Sequence, residues 1–133
     1  MREILDRLEV AELFTRLARV LDEGTPEDLR QIYTKDVVVH SPRGGEIRGI
    51  DHVVAYLSKP ADEKAQHMHS DVLVDVDGDR AEASAYQLVS FYRDGEPPHQ
   101  RNGVRLTYSA VRTPAGWRFD EATITSVWQE TRY

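Results

Sequence analysis

From Glu3 to Glu23 the apolar residues Val10, Leu13, Phe14, Leu17 and Leu21 recur at spacings of three and four, which predicts one amphipathic α-helix. Gly24 stops it. Thr25-Pro26-Glu27-Asp28 then reads as an N-cap, a proline at the first helical position and an acid three residues after the cap, so a short second helix should run to about Tyr33. The β-branched run Val37-Val38-Val39 predicts a strand, which Ser41-Pro42-Arg43-Gly44-Gly45 ends with turn chemistry. After Gly49, apolar residues at helical spacing from Asp51 to Ser58 predict a third helix, with Asp51 as its cap and Pro60 closing it.

The second half has a different texture. Gln66 to Val76, Arg80 to Arg93, Gln100 to Arg112 and Gly116 to Trp128 alternate over long stretches and predict four strands. Asp77-Gly78, Arg93-Asp94-Gly95-Glu96-Pro97-Pro98 and Thr113-Pro114-Ala115-Gly116 supply the turns between them, which makes the sheet an antiparallel meander. Helices first and a sheet afterwards is the α+β pattern, with a pocket expected between the two layers. Several strands carry apolar residues at both parities, as in Val104, Leu106 and Tyr108 against Val111. Bulges or a cover on the second face would explain this, and another subunit as the cover predicts a homodimer.

Composition narrows the chemistry more than the fold. The 133 residues, 40% of them hydrophobic, suit one domain over 1–133. The absence of cysteine excludes disulfides, thiolate metal sites and thiol nucleophiles. With 17 Lys+Arg against 23 Asp+Glu the formal charge is −6, which disfavours nucleic acid and anionic membrane surfaces as partners. No apolar run is long enough to span a bilayer, and acids stand near the N-terminus where a signal peptide would be basic, so the cytoplasm is the expected location.

The order of elements resembles the SnoaL-like branch of the NTF2-like superfamily. The resemblance rests on Leu17-Ala18-Arg19-Val20-Leu21-Asp22-Glu23-Gly24, Tyr33-Thr34-Lys35-Asp36-Val37-Val38-Val39, Gly49, His69, Val76-Asp77-Gly78-Asp79-Arg80-Ala81 and Gly116-Trp117-Arg118-Phe119 with Trp128, and it covers nearly the whole chain. It implies a cone-shaped fold, three N-terminal helices packed on a strongly curved antiparallel sheet. It does not imply one reaction, because such domains serve as dehydratases, dehydrochlorinases, isomerases, cyclases and non-catalytic modules.

In the dehydratase and dehydrochlorinase members an Asp ending the first helix pairs with a His early on the sheet, and the matching residues are Asp22 and His69. The resemblance thus implies His69 as a proton-abstracting base and Asp22 as the carboxylate that fixes its tautomer. Leu17 stands where the bile-acid dehydratase type has a tyrosine, and Ser41, beside His40, stands where ketosteroid isomerases have their base. Arg105 occupies a position usual for an aromatic ring, either facing a substrate oxygen or forming an exposed cross-strand charge. Phe14, Tyr56 and Trp128 complete the expected pocket wall with Leu17 and Arg105, though such aromatics also build ordinary cores. His67, His69 and Asp71 form a His-x-His-x-Asp row, but side chains two apart on a strand stand roughly 7 Å from each other, so no metal and no cofactor is expected. The reading is a cofactor-independent lyase or isomerase acting on a small hydrophobic, oxygenated organic ligand. The alternative is a non-catalytic ligand-binding or protein-interaction module.

Overall fold

The computed structural model describes residues 2–58 and 63–132. Helix α1 (Arg2–Glu23) buries Val10, Leu13, Phe14 and Leu17 along one stripe, as the spacing requires. The chain turns at Gly24 into a 3-10 helix at Pro26–Gln31, where the Asp28 carboxylate accepts hydrogen bonds from the Thr25 N–H (3.1 Å) and hydroxyl (3.2 Å). Strand β1 (Tyr33–Ser41) is longer than its valine run suggests, and β2 (Gly45–Arg48) pairs with it as a short hairpin. The sequence reading missed β2 because Ile47 is its only large apolar residue. Helix α2 (Ile50–Leu57) begins after Gly49, whose φ of 87° reverses the chain. Asp51 is therefore not the cap, and it receives a 2.7 Å ion pair from Arg30 instead. Pro60, expected to close this helix, lies outside the described residues.

Strands β3 (Lys64–Asp77), β4 (Arg80–Tyr92), β5 (Gln100–Thr113) and β6 (Gly116–Thr131) form the antiparallel meander that the turns predict. The six-stranded sheet has the order β2-β1-β6-β5-β4-β3. One correction concerns β1, which joins the meander through a parallel pairing with β6. The intervening helix and strands carry the chain from β1 back to the far edge, a crossover that parallel neighbours require. All helices lie on one face of this curved, unclosed sheet, α1 mainly against β3 and α2 against β1.

The core sits between α1 and this face. Phe14, Tyr108 and Phe119 stack with ring centroids 4.8 to 5.5 Å apart, Trp117 closes the end near the α1 N-terminus, and Ala81, Ala83, Ala85 and Ala110 let the helix approach the strands. Within it Tyr33 and Tyr108 are hydrogen-bonded to each other, and burial pushes the Tyr33 phenol up to about 12 and the Tyr108 phenol well above its ordinary value. At that end Arg112 holds Asp6 by two bonds of 2.8 and 2.7 Å, Trp117 Nε1–H donates to the same carboxylate at 3.1 Å, and the guanidinium lies 4.7 Å from the Trp117 ring.

Candidate active site

The last two turns of α1 and the start of β3 face each other across a groove of about 390 Å³, lined by Ala18, Arg19, Asp22, His67, Met68 and His69 among others. Its polar centre is Asp22. Helical periodicity puts Asp22 on the flank of the apolar stripe, turned toward the edge strand rather than into the core. Because β3 has no strand beyond it, its outward main-chain groups need other partners, and the Asp22 carboxylate accepts the His67 N–H at 3.0 and 2.8 Å. The same carboxylate accepts the His67 Nδ1–H at 2.7 Å. Both side chains keep a small opening, 9% for His67 and 17% for Asp22.

The expected Asp22–His69 pair is not present. The imidazole fixed by Asp22 is that of His67, one pleat nearer the strand start. His69 shares the face, but its Nδ1–H donates to the Phe14 carbonyl at 2.8 Å and its Nε2 lies 2.8 Å from the side-chain amide oxygen of Gln87. A neutral ring with Nδ1 as donor must accept at Nε2, so the neutral state has the Gln87 amide turned with its NH2 end toward the ring. The His69 ring also packs edge-on against Phe14 at 5.8 Å. It is thereby held at both nitrogens by neutral partners. Whichever histidine meets Asp22 is set by how far α1 is slid along β3, and side-chain alternation treats His67 and His69 alike.

The other expected wall residues scatter. Phe14 and Leu17 are fully buried core and do not line the groove, although Phe14 packs against His69. Tyr56 is 43% exposed and hydrogen-bonded at 2.8 Å to the Ser41 hydroxyl near the β1–β2 turn. Arg105 and Trp128 lie on the opposite face of the sheet: Arg105 is paired with outward-facing Tyr86, and an extra residue in β6 opposite Gly103/Val104 turns Trp128 outward. The His67-His69-Asp71 row is also broken, since Asp71 sits at a register shift with φ of 53°. Among the described residues no group of three or more His, Asp or Glu is placed to hold a metal ion. Arg19 and Gln87 were missed by sequence reasoning. Arg19 offers a helical signal, three residues before Asp22, whereas Gln87 comes from another strand and leaves none.

Solved structures define the class first. The chain has the NTF2-like, cystatin-like fold. It superposes on an NTF2-like protein with a cystatin-like fold from Novosphingobium aromaticivorans at a TM-score of 0.83, with 25% identity over 95% of this chain and 84% of the other. A putative scytalone dehydratase from the same organism gives 0.87, with 16% identity and coverage of 98% and 90%. A hexachlorocyclohexane dehydrochlorinase (LinA) of type 2 gives 0.85, with 12% identity and coverage of 98% and 91%. No curated protein matches in sequence. The family model of the SnoaL-like domain matches residues 2–123, so the chain belongs to the SnoaL-like domain family.

Proposed function

We propose that the chain is a cofactor-independent lyase or isomerase that removes a proton from a small hydrophobic, oxygenated molecule, with His67 as the base and Asp22 as its orienting carboxylate. The observation that carries this reading is the 2.7 Å contact between Asp22 and His67 Nδ1 at the floor of the α1–β3 groove. A carboxylate on Nδ1–H leaves the lone pair of the neutral ring on Nε2 and stabilises the imidazolium that forms when Nε2 takes a proton. The electron pair released from the substrate carbon then either expels a leaving group on the next carbon or shifts a double bond, with the proton returned at another atom. His69 is a poorer base by the same logic, because neither Phe14 carbonyl nor Gln87 amide carries charge to offset the proton. The relatives whose names denote elimination reactions agree with this class at the level of fold.

A second reading, a non-catalytic ligand-binding module, draws support from the filled interior between α1 and the sheet, where Phe14 and Leu17 are buried to 0% and 1%. Deuterium incorporation from D2O into a panel of hydrophobic ketones and β-hydroxy ketones, followed by NMR, separates the two. The catalytic reading expects exchange by the wild type, a loss of about 10²–10⁴-fold in His67→Ala and a smaller loss in Asp22→Asn. His69→Ala should reduce melting temperature more than exchange rate, since it strands the Phe14 carbonyl and Gln87. Undiminished exchange in His67→Ala would remove His67 from the mechanism, and binding without exchange in the wild type would establish the module.

A further inference from the structure

Arg7, Arg16 and Arg19 are all exposed on α1, but they are not equally partnered. Arg7 and Arg16 each have an acid one turn earlier, and the pairs Arg7–Glu3 and Arg16–Glu12 close at 2.9 and 3.4 Å. Arg19 has Thr15 at that position instead. The acids near it on the helix, Asp22 and Glu23, both follow it, which is the weaker order for a helical ion pair. Asp22 already accepts from the His67 N–H and from the His67 ring. Arg19 accordingly makes no side-chain hydrogen bond or ion pair with any described residue. It stands on the wall of the same groove that holds Asp22 and His67.

We propose that Arg19 is the substrate-recognition residue of this groove and that its substrate is an oxo acid, whose carboxylate sits on the Arg19 guanidinium while its ketone-activated carbon faces His67. The proposal rests on His67 as the base. Residues three apart on a helix stand roughly 5–6 Å from each other at Cβ, so the guanidinium and the Asp22–His67 pair lie side by side. The planar fork of Arg19 suits a carboxylate, which it holds by two parallel hydrogen bonds a few bonds away from the abstracted proton. His67 takes that proton, the C–H electron pair moves onto the ketone oxygen, and the carboxylate is left unchanged.

The lining of the groove favours a small monoanion over other occupants. Thr15, Glu23 and Gln66 make much of its wall polar, and Ala18 and Met68 are its apolar side chains, so a large hydrocarbon would bury little of its surface there. A volume of about 390 Å³ lies at the small end of the range for ligand sites. Charge limits the ligand further. A dianion or a phosphate chain would meet Glu23 and the formal charge of −6, whereas one carboxylate matches one guanidinium.

Deuterium exchange of β-benzoylpropionate and of its uncharged methyl ester, given to wild type, Arg19→Met and Arg19→Lys, tests the proposal. The wild type should prefer the acid, with a KM for the acid that rises as salt is added. Arg19→Met should raise that KM about 10–100-fold while kcat and the kinetics of the ester stay nearly unchanged, and Arg19→Lys should recover part of the loss. Acid and ester handled alike by the wild type, or a loss in Arg19→Met shared equally by both, overturns the role of Arg19 and leaves His67 as base untouched. Exchange of neither compound by the wild type counts against the base, and binding then decides on Arg19 separately. β-Benzoylpropionate titrated into isotope-labelled protein should shift groove amides in the wild type and not in Arg19→Met. No binding to the wild type, or equal binding to both, overturns the proposal.

Discussion

Asp22 illustrates how a single side chain answers two demands. It satisfies an orphan main-chain N–H on an edge strand and, through the same carboxylate, fixes the imidazole of that residue. Asp6 is a buried acid of another kind. The Arg112 guanidinium holds its carboxyl at about 2, below the ordinary 3.8, against the opposing effect of burial, and Trp117 assists. A depressed folded value stabilises the native state above the unfolded value and is lost as pH falls through the folded one. The melting temperature should therefore stay level down to about pH 4 and drop as pH falls toward 2, from this pair. In Arg112→Met the protein should be less stable at pH 6 and this acid drop should flatten or reverse, because burial without the guanidinium raises the Asp6 value and protonation then no longer favours the unfolded chain. Circular dichroism melts from pH 2 to 6 check both curves.

At the scale of elements, the irregularities of the strands decide where side chains point. Asp71 occupies the left-handed region at φ 53° within β3, where L residues pay about 1–2 kcal/mol and aspartate is among the least penalised. Asp71→Gly should leave stability unchanged or raise it by up to about 1 kcal/mol, and Asp71→Val should cost at least about that much, read as urea midpoints. The bulge opposite Gly103 has a larger consequence, since it sends Trp128 away from the helices and onto the bare backbone of β5. The long alternating strands, their turns and the α1 stripe were legible because periodicity and turn chemistry are local. The bulges were not, because each is a compromise between two neighbouring strands that neither segment records alone. Short β2 was missed for the related reason that pairing with β1, and not its own pattern, holds it.

For the whole molecule, the placement of every helix on one face leaves the other with exposed aromatic and aliphatic side chains, and the register shifts of β6 add to the mixed parity by bringing both Phe119 and Ile124 to the helix side. No helix among the described residues is long and apolar enough to cross a membrane.

The sequence by itself determined the helices-then-sheet order, the meander, the core stripe of α1 and the SnoaL-like class, since these follow from spacing, turns and motif order along one chain. Tertiary structure alone decided the parallel β1–β6 joint, the pairing of Asp22 with His67 in place of His69, and the outward turn of Arg105 and Trp128. Those three depend on how far one element slides or twists against another, a displacement of one pleat or one inserted residue. The sum of many packing contacts sets it, and no single segment encodes it.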